Sequence, residues 1–172
     1  MILRRLLILG FLTIASGCGK LSVVEPGRIE RTPATLRFGL TSYLSPADVH
    51  RAFINNPKAI VEDYPAPPRG SCPRFDVLTL SFSGVQDLNN LGEINVSFIN
   101  GKLHSVHFFP NDPDAYLSAL AQSGFTFDSK GEFHPSSHVR GWAYTSHDGR
   151  RYIAWEDERL RDEINDWIID CS

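Results

Sequence analysis

The chain has 172 residues, with 17 basic and 20 acidic side chains and a net charge of −3. Its hydrophobic content of 42% is enough for an ordinary core and argues against disorder. It carries no lysine or arginine run able to track phosphates, so nucleic acid is not an expected partner.

In chain order, Arg4 and Arg5 precede an apolar run over residues 6–15, and Ser16 and Gly17 stand directly before Cys18. A charged start, a short apolar segment and a small-residue exit make a secretory signal, too short to cross a membrane. A cysteine directly after the small residues resembles the lipobox of bacterial lipoproteins. That resemblance implies cleavage before Cys18 and acylation of its side chain. The mature protein would then be held in the lipid bilayer, each buried methylene contributing about 0.8 kcal/mol. Gly19 behind Cys18, with no aspartate there, resembles lipoproteins sent to the outer membrane, where they face the periplasm. Losing residues 1–17 removes two arginines and no acid, which leaves a net charge of −5. Residues 18–34, with Pro26, Gly27 and Pro33, read as a tether, and residues 35–172 as a single domain.

With Cys18 lipidated, Cys72 and Cys171 remain as an even pair. In an exported protein such a pair reads as a disulfide, the alternative being two free thiols. The bridge would close a loop of roughly 100 residues, valued at about 4 to 5 kcal/mol at most.

The first helix starts at Ser45, with Pro46 at the first helical position and Asp48 completing a capping box. Leu44 and Val49 form a hydrophobic staple, and Asn55-Asn56-Pro57 ends the helix. Residues 57–74 hold Pro57, Pro65, Pro67, Pro68 and Pro73 and read as a long loop pinned by Cys72. Strands are predicted at 75–83, 93–99 and 102–109. Asn100-Gly101 between the last two is a strong hairpin signal. Alternation in the third strand places His104, Val106 and Phe108 on one side. Asp112-Pro113 opens a second helix that Gly124 ends. Strands at 140–146 and 151–155 flank the Asp148-Gly149 turn, and a final helix runs over 158–169. The expected fold is α+β, an antiparallel sheet of about five strands with three helices packed on one face.

Chemistry is sparse. His104 and His107 are three apart on a strand and leave opposite faces unless a bulge intervenes. His134 and His138 lie in a loop with no carboxylate or cysteine near in sequence, so no metal site is expected. Ser146-His147-Asp148 are turn neighbours rather than a triad assembled from separate elements. Glu156, Asp157 and Glu158 suit the N-terminus of the last helix. No catalytic residue and no cofactor are expected. What remains is binding surface: Tyr64 and Arg69 in the proline-rich stretch, and Trp142, Tyr144, Tyr152 and Trp155 around one hairpin. Such rings mostly fill cores, but exposed ones anchor protein interfaces.

The capped helix SPADVHRAF, the proline-rich stretch and the strand pair INVSFINGKLHSVHF, behind a lipobox cysteine and short tether, resemble small outer-membrane lipoproteins of the SmpA/OmlA type. That resemblance implies assistance in β-barrel assembly. The expected function is therefore a non-enzymatic, membrane-anchored binding or scaffolding module in envelope assembly with a protein partner. The alternatives are an immunity or inhibitor lipoprotein whose acidity steers it to a basic toxin, and a cell-wall hydrolase using acids near Glu156.

Overall fold

Asn100 and Gly101 both take positive φ, 49° and 73°, and turn β3 (Asn90–Ile99) back onto β4 (Lys102–Pro110). The same left-handed geometry at Leu88 and Asn89, 45° and 61°, joins β2 (Phe75–Asp87) to β3. β2 runs past Ser83 because Gly84, at φ +71°, forms a bulge there that the ladder absorbs. The computed structural model describes residues 32–66, 72 and 74–171, all within a unit that starts at Thr32. The predicted signal segment, Cys18, most of the tether and Arg69 lie outside the described residues.

β1 (Lys58–Ala66) pairs with β2, so β1 to β4 form one meander. β5 (Glu132–Ser136), β6 (Val139–Thr145) and β7 (Arg151–Asp157) form a second. The two meet where β4 pairs antiparallel with β7, giving one sheet in the order β1-β2-β3-β4-β7-β6-β5.

The sheet thus has seven strands, not about five. Both additional strands are edges, and each carries a proline, Pro65 in β1 and Pro135 in β5. Proline cannot donate to a ladder, and an edge strand tolerates it because one side has no neighbour to bond. Of the prolines that suggest a loop over residues 57–74, Pro65 thus lies within an outer strand and Pro57 directly before it, while Pro67, Pro68 and Pro73 lie outside the described residues.

One face of the sheet is apolar. Phe82, Ile94, Val96, Phe98, Phe108 and Trp155 are buried on it. Helix α1 (Pro46–Ala52) has the full Ser45–Asp48 capping box and buries Val49. Phe53, just after it, packs on Phe82 at 5.2 Å between ring centres. Helix α2 (Pro113–Gln122), capped by Asp112, buries Tyr116 and Leu120, with Tyr116 edge-on to Phe108 at 4.8 Å. At the rim of this core the Tyr116 hydroxyl donates to Asp87, which also accepts from Arg37 Nε at 2.8 Å. Burial pushes the Tyr116 phenol up, so it stays a proton donor.

Helix α3 (Glu158–Cys171) lies against the opposite face, so the three helices do not share one side. Its Trp167 stacks on Phe75 at 4.4 Å and its Arg161 comes within 3.7 Å of Glu156. The ladder registers place Phe75 and Glu156 on the face away from the core. The apolar face is already filled by α1, α2 and Leu36 and Leu40 of the leading segment. Helix α3 buries only Leu160, too little for a core seat.

Glycine is required at two buried positions, Gly92, where a Cβ would meet the Phe109 carbonyl oxygen and the Phe108 ring, and Gly141. A Cβ on Gly141 would overlap the ring of Phe133, which is itself buried against Trp155 at 5.9 Å. Gly141→Ala is expected to destabilise the protein by about 1–3 kcal/mol through overpacking, read as a lowered urea midpoint with unchanged m-value.

Candidate functional site

The second face of the sheet is built from polar and aromatic side chains. Successive register partners place Thr79, Ser97, Ser105, Glu156 and Arg140 across its middle. One row further, Asn95 lies opposite His107, His107 opposite Ala154 and Ala154 opposite Trp142. Thr79 and Ser97 share a hydrogen bond of 3.0 Å between their hydroxyls.

An aromatic ladder crosses the open half of this face. His107 stacks on Tyr152 at 5.0 Å with 22° between the rings, and Trp142 meets His107 edge-on at 6.5 Å. Tyr152 packs on Phe109 at 5.1 Å, and Tyr144 sits edge-on to Tyr152 at 5.9 Å. Guanidinium groups close both ends, Arg140 over Trp142 at 5.5 Å and Arg150 over Phe109 at 4.5 Å. Each such aromatic or cation–π contact is worth roughly 0.5–1.5 kcal/mol. Beside the ladder is a cleft of about 440 Å³ lined by Leu91, Glu93, Phe109, Asn111 and Arg150. Arg150 reaches Glu93, also in the lining, at 3.5 Å, and pairs with Asp148 of its own turn at 2.8 Å.

The other half of the face holds a titratable pair against the first turns of α3. Burial pushes the Glu156 carboxyl up to about 7, against the pull of Arg161 and Arg140. Burial, and then neighbouring His107, hold the His104 ring down at about 4. Burial between its aromatic neighbours lowers His107 to about 4 as well. His104 Nδ1 lies 3.9 Å from Glu156, too far for a hydrogen bond, and no acceptor or donor reaches it. Between pH 4 and 7 both members of the pair are therefore mainly uncharged.

This pairing corrects the predicted strand faces. Ser97 is opposite Ser105 while Phe98 is opposite Leu103, so His104 is the extra residue of a bulge. Leu103 then faces the core in its place, and its backbone bonds to Tyr43 and Leu44 at 2.9 Å each. His104 is turned to the second face, where it meets Glu156 and senses His107. Among the described residues, no group of three or more potential ligands is arranged for a metal ion.

Of the residues singled out for binding, Trp142, Tyr144 and Tyr152 come together. Tyr144 is 61% exposed, and the other two are half-buried. Trp155 points to the opposite side and is fully buried between Phe38 and Phe133, so it offers nothing to a partner. Tyr64 is exposed on β1, with β2 and β3 between it and the nearest ladder residues, His107 and Phe109 on β4. Cys72 and Cys171 are bridged, with their Cα atoms 5.7 Å apart. Phe109, Arg140 and Arg150 carry no signal in the sequence that singles them out, and His107 stands out there only as a possible metal ligand. The hairpin at Asn100-Gly101 does imply that His107 and Phe109 alternate with core residues. Only the β4–β7 register shows that they meet Tyr152.

No protein-family model matches the chain, and no curated protein matches it.

The pKa directions set opposing pH slopes. Glu156 is raised above its ordinary 4.5, so its contribution is fully present below 4.5 and is lost as pH rises to about 7. His104 and His107 are depressed below 6.5, so theirs is present above 6.5 and lost as pH falls through about 4. Glu156→Gln is expected to be more stable than the parent at pH 8, with the gain shrinking towards pH 4.5. His107→Phe, which keeps a ring in the stack, should lose less stability between pH 6.5 and 4. Urea midpoints across this range check both, and parallel pH profiles for variant and parent would contradict the assignment.

Proposed function

We propose that this protein is a lipid-anchored envelope lipoprotein that acts as a non-enzymatic binding or scaffolding module. Its partner is a protein, docked on the open half of the second sheet face. The observation that carries this reading is the ladder from Arg140 through Trp142, His107, Tyr152 and Phe109 to Arg150, with exposed Tyr144 at its side. Rigid tyrosine and tryptophan rings flanked by arginine are the residue types that concentrate binding energy in protein interfaces. Because the rings stack on one another, they lose little side-chain freedom on docking. The bilayer anchor rests on the lipobox resemblance at Cys18, and the periplasmic, outer-membrane placement rests on Gly19 behind it. The acids near Glu156 support a hydrolase less well, because Glu156 is buried against α3 and does not line the cleft beside the ladder.

The test is in-cell crosslinking and pull-down of the parent, of Cys18→Ser as the unanchored control, and of Tyr144→Asp. Envelope-assembly proteins recovered with the parent and reduced at least tenfold with Tyr144→Asp would support the reading. Recovery unchanged by Tyr144→Asp would remove this face as the interface. Capture of a single secreted toxin would replace scaffolding with immunity.

A further inference from the structure

Helix α3 differs from the rest of the fold in how it is held. It is 14 residues long, and Leu160 is its one buried side chain. A free helix of that length is marginal in water, so α3 depends on what pins it to the sheet. Its start is fixed by Arg159, which bonds Asp157 at 2.6 Å and the Thr32 carbonyl at 3.0 Å. From β7 it must pass β4 and β3 to reach β2. That is three strand spacings of about 4.8 Å, within the reach of 14 residues at about 1.5 Å each. At the far end Trp167 lies on Phe75, and the bridge from Cys171 to Cys72 ties the helix to the start of β2.

What lies beneath the near end does not favour a closed helix. Glu156 and His104 are side chains that water solvates better than this site does. His104 Nδ1 is without a hydrogen-bond partner, and leaving a buried polar atom unsatisfied is unfavourable. Closing buries Leu160, stacks Trp167 on Phe75 and brings Arg161 to Glu156, and against these contacts it must desolvate this pair. The bridge offsets the difference by keeping the far end of α3 at high local concentration beside Phe75. Both cysteines are half-buried at the surface, next to exposed Arg74 and Asp170, so a small reductant can approach.

We propose that α3 is a strap hinged at Asp157–Arg159 and latched by the Cys72–Cys171 bridge, and that reducing the bridge frees the helix and uncovers His104 and Glu156 while the sheet stays folded. The reductant is a dithiol. Its thiolate attacks one sulfur of the bridge to give a mixed disulfide, and its second thiol resolves it. The Cys72–Cys171 bond breaks, its two sulfurs gain two electrons and two protons, and the dithiol becomes a disulfide. The inference does not rest on the lipid anchor or on the aromatic ladder.

Hydrogen–deuterium exchange on the folded protein, before and after dithiothreitol, tests it. The expected result is at least tenfold faster exchange over residues 158–171 with unchanged protection in β2, β3, β4 and β7. His104 should also become reactive to diethylpyrocarbonate. If α3 keeps its protection after reduction, the helix holds without a latch and the proposal is wrong. Loss of sheet and helix protection together would equally overturn it, since the bridge would then be a staple for the whole fold. A Cys72→Ser/Cys171→Ser variant should reproduce the reduced pattern, and reduction of the preformed protein carries the test even if that variant fails to fold.

Discussion

The pairing of β4 with β7 is the constraint on which the rest depends. Four register pairs, Ser105 with Glu156, Val106 with Trp155, His107 with Ala154 and Phe108 with Ile153, join two meanders that are each built from local hairpins. On the first face these pairs bring Val106, Phe108, Ile153 and Trp155 into one core. On the second they bring His107 beside Tyr152 and Trp142, and the bulged His104 beside Glu156. A slip of one residue would exchange the two sets, placing the carboxylate and imidazoles in the core and the large apolar rings outside. Burial of the apolar set fixes the register, and the polar face inherits its geometry from that choice.

The two faces are held by different physics. The core face relies on apolar burial, at about 25 cal/mol per Å² removed from water. The second face relies on stacking, on guanidinium groups over rings, and on ion pairs that remain partly solvated. Such contacts are individually weak, which suits a surface that must hold a shape without sealing itself off. Glu156 marks the boundary between the regimes: it is dry enough to resist ionisation, yet two arginines oppose that resistance.

Edges and covers follow from the same asymmetry. β1 is exposed from Lys58 to Pro65, with Ile60, Val61 and Tyr64 on the surface. A bulge at Val61, the charges of Lys58, Glu62 and Asp63, and Pro65 interrupt it as a template for further strands. Helix α3 supplies a cover for half of the second face without contributing much core, and its far end depends on a covalent tie.

The sequence by itself determined everything that depends on a few neighbouring residues. Ser45 with Asp48 and Asp112 with Pro113 start helices because a side-chain oxygen reaches an unbonded amide three residues on. Asn100-Gly101 turns the chain with both residues at positive φ, and Asp148-Gly149 turns it with Gly149 there. Tertiary structure decided the rest. Pro65 and Pro135 mark a strand or a loop depending on whether another strand lies outside them, and only the assembled sheet makes β1 and β5 its edges. His104 leaves the core face because the Leu103 backbone is bonded to Tyr43 and Leu44, some sixty residues earlier in the chain. Trp155 and Trp142 read alike in sequence, yet their places on β7 and β6 bury one and leave the other half-open. Local chemistry set the turns and caps because its energies act within a few bonds. Face, burial and partnership waited for contacts between distant segments, where the hydrophobic gain of one register outweighs all others.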